Sequence, residues 1–87
     1  MNHVVERARA ILARELNLEI ANLLSHLRLR EDLGMDSIIA LNLIFAAERE
    51  MEIVIKEEDV VRLVTVADLE QLIRKLTSQA NGKKKAA

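Results

Sequence analysis

Apolar residues recur at steps of three and four positions near the start of the chain, with charged residues between them. This spacing is typical of an amphipathic helix, because residues three and four apart lie on the same helical face. We therefore predict a first helix over about residues 3 to 16. Its single apolar stripe consists of Val4, Val5, Ala8, Ile11, Leu12 and Leu16.

Residues 17 to 36 are rich in leucine but keep neither a helical nor an alternating period. Apart from a short helical turn around residues 20 to 25, we predict a long ordered loop that its leucines hold to the core. Gly34 indicates a turn near the end of this loop. Asp36 is suited to cap the helix that follows, since its carboxylate can accept hydrogen bonds from the free N–H groups of the first turn.

A second helix is predicted from Ser37 to about Met51. Steps of about 100° per residue divide this helix into two faces. The predicted core face consists of Ala40, Leu43, Ile44, Ala47 and Met51. The opposite face carries Ile38, Asn42, Phe45, Ala46 and Arg49, so apolar side chains are expected on the outside of the molecule.

The last third of the chain predicts a connector at residues 52 to 55, which are too few for a paired strand, and a short helix at 57 to 63. Residues 65 to 68, Thr-Val-Ala-Asp, have the form of a capping box and open a final helix. Residues 78 to 87 lack periodicity and are predicted to form a flexible C-terminal tail behind a domain of residues 1 to 77. The predicted fold class is all-α, a small four-helix bundle with a long first loop and a short third helix.

Composition restricts the chemistry that this fold can carry. Eighty-seven residues suffice for one core. With no cysteine in the chain, disulfides, thiolate metal sites and thiol nucleophiles are excluded. No stretch approaches the roughly 20 apolar residues that span a bilayer, and no signal-peptide pattern is present. We therefore expect a cytoplasmic protein without a membrane span.

Charge is unevenly distributed although the net charge is only −1. Residues 28 to 59 contain nine acids and four bases, so the middle of the chain is acidic. The weak net charge does not predict nucleic-acid binding. The Lys83 to Lys85 run is interpreted as solubilising.

Ser37 is the residue with the most distinctive chemical setting. Asp-Ser at a helix start is ordinarily a cap, but the helix N-terminus also favours anions and therefore a phosphate ester on the hydroxyl. A serine hydrolase would need an oriented base, and the only histidines are His3 and His26. Two histidines without cysteine also leave little for a transition metal. We expect neither an enzyme nor a metal site.

The segment from Leu29 to Ser37, Leu-Arg-Glu-Asp-Leu-Gly-Met-Asp-Ser, resembles the signature of acyl carrier proteins. The resemblance extends over residues 4 to 76 through the helix order and the pairs Glu57-Glu58 and Thr65-Val66. It implies a bundle of the acyl-carrier type in which Ser37 receives 4′-phosphopantetheine from coenzyme A through a Mg-dependent phosphopantetheinyl transferase. Asp36 and Gly34 belong to the implied attachment site. Further implied partners are acyl-loading and acyl-processing enzymes, and a monomer is expected.

The second helix departs from the acidic docking surface that is common in that family. Ile39 and Asn42 stand at familiar acidic positions, Glu48 keeps the acid, and Arg49 reverses it. A partner-binding face recognised by packing is therefore predicted at Ile38, Ile39, Asn42, Phe45, Glu48 and Arg49. The small side chains of Ala40 and Ala47 predict room for a longer or bulkier acyl chain, in a pocket lined by Ala40, Leu41, Ile44, Ala47 and Leu63.

The function predicted from the sequence is a carrier of fatty or polyketide-like acyl groups as thioesters, in a specialised pathway. Two alternatives remain open. An aminoacyl or peptidyl carrier shares the fold and the arm, and a pantetheine-free adaptor would use the same fold only to bind a protein.

Overall fold

The computed structural model describes the backbone of residues 3 to 86 and the side chains of residues 3 to 78. The elements are α1 (His3–Leu16), a 3-10 helix (Ile20–Asn22), α2 (Ser37–Met51), α3 (Glu57–Val60) and α4 (Val66–Ala86). This confirms the all-α class, the bounds of the first two helices and the connector after α2. Within residues 3 to 86, no helix is long and apolar enough to cross a membrane.

Helix α1 is the centre of the bundle, because it packs against both α2 and α4. Its buried face carries Val5, Ala8, Ile11, Leu12 and Ala13. Fully burying a valine, isoleucine or leucine side chain stabilises a fold by roughly 1.5–3 kcal/mol. At the edge of this core the Arg9 guanidinium lies 2.6 Å from a carboxylate oxygen of Glu70 and 2.6 Å from the carbonyl oxygen of Leu23. Arg9 therefore joins α1, α4 and the first loop.

The loop between α1 and α2 is fastened to the start of α4. Leu29 is fully buried, and its N–H donates to the carbonyl oxygen of Val64 at 2.8 Å. The N–H of Val66 donates to Leu27 at 3.0 Å, and an isolated antiparallel bridge pairs Arg28 with Thr65. These bonds explain how a segment without periodicity stays ordered.

The capping box predicted at the start of α4 is present. The Thr65 hydroxyl accepts from the N–H of Asp68 at 3.2 Å, and one carboxylate oxygen of Asp68 accepts from the N–H groups of Thr65 and Val64 at 3.0 Å each. These backbone donors favour the ionised carboxylate and hold the pKa of Asp68 below its ordinary value.

The facing of Ala46 and the length of the third helix were predicted wrongly. Ala46 is only 2% exposed, because α1 packs against the side of α2 that holds Leu43, Ala46 and Ala47. Helix α3 ends at Val60 instead of residue 63, since the N–H groups of Arg62 and Leu63 donate to carbonyl oxygens three residues back rather than four.

Helix α4 runs on to Ala86, so it continues into the segment that the sequence predicts to be a flexible tail. Residues 77 to 86 contain no proline and several good helix formers, so the sequence allows the helix to continue. The flexibility of residues 78 to 87 stays a prediction. The side chains of Lys83 to Lys85 lie outside the described residues, so the role given to them is untested.

Candidate modification site at the start of helix α2

Ser37 is the first residue of α2 and is exposed. The backbone of Asp36 is extended, and its Oδ1 accepts from the N–H of Ile39 at 2.8 Å, which confirms the predicted N-cap. Because Asp36 provides the cap, the hydroxyl of Ser37 is not needed for it. That hydroxyl makes no hydrogen bond to any residue in the described part of the chain, so it is available for modification.

The turn that leads to Ser37 depends on Gly34, which has φ +75°. A Cβ at this glycine would meet nothing within 4 Å, so the backbone conformation and not crowding selects glycine here. The N–H of Gly34 donates to Arg30 at 3.2 Å, and that of the buried Met35 donates to Leu29 at 2.9 Å. The turn thus delivers the Asp36-Ser37 pair from an anchored backbone.

The side chain of Asp32 also stabilises the turn before Ser37. One carboxylate oxygen of Asp32 accepts from the N–H of Arg28 at 2.7 Å and from its guanidinium Nε at 3.3 Å. These hydrogen bonds, the backbone one first, lower the pKa of Asp32. The carboxylate therefore stays ionised and keeps the turn closed over the neutral pH range.

An open groove of about 440 Å³ runs between α2 and α3, and Ser37 lies on its border. Three residues predicted for an acyl pocket line it, namely Ala40, Leu41 and Ile44. Two do not: Ala47 is buried in the core, and Leu63 lies beyond α3.

The prediction missed four residues that line the groove, which are Arg30, Glu57, Val60 and Val61. The apolar pair Val60-Val61 in the short third helix was a usable signal, whereas nothing in the sequence indicated Arg30.

The outer face of α2 carries an apolar stripe formed by Ile38, Leu41 and Phe45, which are 70%, 51% and 55% exposed. Asn42 and Arg49 are also exposed, as the sequence predicted. The sequence prediction did not assign Leu41 to this face. Leu41 lies one helical turn from both Ile38 and Phe45, and this spacing was enough to place the three side chains together. We call these three apolar residues the outer stripe.

Two residues predicted for the same face lie elsewhere. Ile39 is half-buried and packs against the core, because it lies one helical turn from the buried Leu43 on the same face of α2. Glu48 is half-buried, and its Oε2 accepts from the N–H of Ile55 at 2.9 Å. Neither side chain is therefore presented to a partner in the way the sequence suggested.

The second acid of α2, Glu50, is also engaged within the fold. The Glu50 carboxylate lies 2.6 Å from the Arg14 guanidinium, and this hydrogen-bonded pair lowers the pKa of Glu50. Arg49 reaches Glu50 only at 3.8 Å and is largely exposed. Of the three charged residues of α2, only Arg49 is exposed, while Glu48 and Glu50 are half-buried. The described residues contain no group of three or more side chains that could hold a metal ion.

Comparison with known proteins adds a consistent set of similarities. A family model described as "Phosphopantetheine attachment site" matches residues 6–73. The acyl carrier protein of Aster yellows witches'-broom phytoplasma is 33% identical over 75 residues, which cover 86% of this chain and 99% of the relative. That of Buchnera aphidicola subsp. Schizaphis graminum is 35% identical over 66 residues, covering 76% and 84%. That of Treponema pallidum (strain Nichols) is 35% identical over 74 residues, covering 85% and 95%. The family match includes Ser37 and the turn before it.

Proposed function

The chain belongs to the acyl carrier protein family, and on that premise we propose that Ser37 is the residue that carries the prosthetic arm. The cofactor of the family is a covalently attached 4′-phosphopantetheine, and its members are carriers and not enzymes. One observation supports Ser37 most strongly. Its exposed hydroxyl, free of hydrogen bonds to the described residues, stands at a helix N-terminus that Asp36 already caps.

The residues around Ser37 fit such an arm. During loading, the oxygen of Ser37 bonds to the phosphorus of coenzyme A's phosphopantetheine, the bond to the adenosine bisphosphate portion breaks, and the hydroxyl proton is released. The N-terminus of α2 favours the resulting phosphodiester charge. The attached arm supplies a terminal thiol that holds an acyl group as a thioester. Coenzyme A as donor is consistent with the cytoplasmic location that the sequence predicts.

We assign the groove between α2 and α3 to the acyl chain. Its walls contain Ala40, Leu41, Ile44, Val60 and Val61, all apolar, and Ser37 stands on its border. Each methylene buried there contributes roughly 0.8 kcal/mol. The short side chain of Ala40 leaves space beside Ile44, which favours a longer or bulkier acyl chain.

For the partner enzymes, namely the transferase and the enzymes that load and process the acyl group, we propose docking on the outer stripe. Its three apolar side chains offer area to bury, while Glu48 is bonded to Ile55 and the exposed Arg49 adds positive charge. Such a face fits a partner by packing and fits poorly to the basic patches that acidic carriers attract. This is the reason to expect a specialised pathway.

The two alternatives are weakened to different degrees. An aminoacyl or peptidyl carrier would present a polar cargo, whereas five of the eight residues that line the groove are apolar. An adaptor without the arm would have no use for an exposed serine beside an apolar groove.

Intact mass after incubation with coenzyme A and a broad-specificity transferase tests the assignment of Ser37. We expect one arm on the wild-type chain and on Ser78→Ala, a control at another exposed serine, and none on Ser37→Ala. A wild-type chain that gains no mass would support the adaptor instead. Native mass spectrometry of the protein isolated from its own host then separates the cargo classes, because an aminoacyl load would contradict the acyl assignment.

A further inference from the structure

We propose that the guanidinium of Arg30 binds the phosphodiester through which the arm joins Ser37. This inference rests on the proposed function, because it requires an arm on that serine. Arg30 and Ser37 border the same groove, although seven positions separate them in the chain. Arg30 is thus a positioning residue for the arm and takes no part in the chemistry of the thiol.

The backbone that carries Arg30 is held on both sides. Before it, the buried Leu29 donates its N–H to Val64 at 2.8 Å and accepts from Met35 at 2.9 Å. After it, the carbonyl oxygen of Arg30 accepts from the N–H of Gly34 at 3.2 Å. Because Met35 and Gly34 lead directly into α2, the same turn sets the positions of Arg30 and Ser37.

The side chain of Arg30 is not committed to another group. Among residues 3 to 78, no carboxylate lies within ion-pairing distance of it. Arg28, two residues earlier and also exposed, differs in this respect because it pairs with Asp32 at 3.3 Å. A free guanidinium is well matched to a phosphodiester, since its planar fork can donate two parallel hydrogen bonds to two phosphate oxygens.

The acidic groups near Ser37 favour a cation at the base of the arm. Asp36 precedes the serine directly, and Glu57 lines the same groove. An anionic phosphodiester placed beside these carboxylates is repelled by both. Arg30 is the cation of the groove lining, so it offsets this repulsion and holds the base of the arm at the groove's border.

Nuclear magnetic resonance of the loaded protein tests the contact after intact mass has verified the arm. We compare wild type with Arg30→Gln, Arg30→Lys and Arg74→Gln, the last being an exposed arginine of α4 outside the groove lining. On loading, the Nε–Hε resonance of Arg30 should shift clearly and that of Arg74 should not. The ³¹P resonance of the phosphodiester should move in Arg30→Gln towards its position in urea-unfolded loaded protein. It should stay in place in Arg74→Gln and keep part of its wild-type shift in Arg30→Lys.

The outcomes are distinguishable. An Arg30 resonance that moves no more than that of Arg74, or a ³¹P resonance that Arg30→Gln leaves at the wild-type position, overturns the inference while the proposed function stands. A wild-type chain that gains no arm overturns both. In 1 M salt the Debye length falls to about 3 Å, so we expect the ³¹P shift of wild type to approach that of Arg30→Gln.

Discussion

The carboxylate of Glu48 accepts a hydrogen bond from the backbone N–H of Ile55 at 2.9 Å, across the bend that joins α2 to α3. This bond ties the connector of residues 52 to 55 to the last turns of α2. It also occupies an acid that, on sequence alone, belongs to a docking face. The acidic count of the middle segment therefore includes a side chain that bonds within the fold.

Replacing Glu48 by alanine should lower the free energy of unfolding by about 1 kcal/mol, the usual net value of such a hydrogen bond. The amide of Ile55 should exchange with solvent faster, because its acceptor is gone. Hydrogen exchange and urea unfolding measure both effects. Glu19→Ala removes the same charge from a side chain that caps no N–H, so it should leave Ile55 unchanged. Equal exchange in the two variants would refute the role of Glu48.

Neighbouring isoleucines of α2 should respond differently to the same substitution. Ile38→Asp should change the free energy of unfolding by no more than about 0.5 kcal/mol, because Ile38 is mostly exposed. Ile39→Asp should cost about 1–3 kcal/mol, because it buries a carboxylate against the core. Urea unfolding of the two variants compares them directly. Similar losses would contradict the orientation of α2.

The Ile38→Asp variant, which we expect to keep its stability, also tests the docking proposal. Ile38→Asp adds an acid to the outer stripe, so its affinity for generic fatty-synthase enzymes with basic docking patches should rise. Surface plasmon resonance at low and moderate salt measures the change. Phe45→Ser, which removes apolar area without adding charge, should give no such gain. Unchanged affinity of Ile38→Asp would sink the idea that the apolar stripe disfavours these enzymes.

Gly34→Ala should destabilise the protein by about 1 kcal/mol, the cost of a side chain in the left-handed region. The cost arises from φ +75° and not from a clash, because a Cβ there meets nothing within 4 Å. Gly34→Asn should lose less, since asparagine tolerates this conformation better. Thermal unfolding ranks the three proteins. An alanine variant as stable as wild type would mean that the turn does not hold this conformation in solution.

The capping box predicts a pH dependence of stability. The pKa of Asp68 is lower in the folded protein than its ordinary value of 3.8, so ionised Asp68 stabilises the fold at pH values above 3.8. This contribution is lost as the pH falls through 3.8 and then through the folded pKa. Asp68→Asn should therefore be less stable than wild type at pH 7, and the difference should shrink towards pH 3. A difference that stays constant across this range would contradict the assignment.

The acyl groove can be tested by filling it. Ala40→Leu should reduce by at least half the thermal stabilisation that a medium-length acyl chain gives over the unacylated arm, because the added side chain occupies the space beside Ile44. Comparing melting temperatures of arms loaded with chains of increasing length measures this. Val54→Leu is a control at an exposed residue outside the groove. The same acyl-dependent gain in Ala40→Leu and wild type would place the chain elsewhere.

Local signals carried most of what the sequence predicted. The bounds of α1 and α2, the cap at Asp36 and the capping box at Thr65 follow from residues within one or two helical turns of each other. The turn at Gly34 is of the same kind. Periodicity and capping chemistry act over this range, so a single sequence is enough to locate them.

Contacts between distant segments were beyond such signals. The bond from Leu29 to Val64 and the groove that joins Arg30 to Ser37 depend on how helices and loops meet. The burial of Ala46 likewise depends on the direction from which α1 approaches α2. If α1 approached α2 from a slightly different direction, other residues of α2 would be exposed. Helix α2 is so apolar that its hydrophobic pattern does not determine this direction.

The engagement of Glu48 and Glu50 inside the fold has a consequence for cells that hold several carriers. All of them offer enzymes the same arm and the same thiol, so crosstalk between pathways is prevented only at the protein surface. Partner enzymes recognise acidic carriers by electrostatic attraction, and ions in solution weaken this attraction. If partner enzymes dock on the outer stripe, as we propose, they recognise this carrier by shape, and their binding stays selective at salt concentrations that weaken the attraction of acidic carriers.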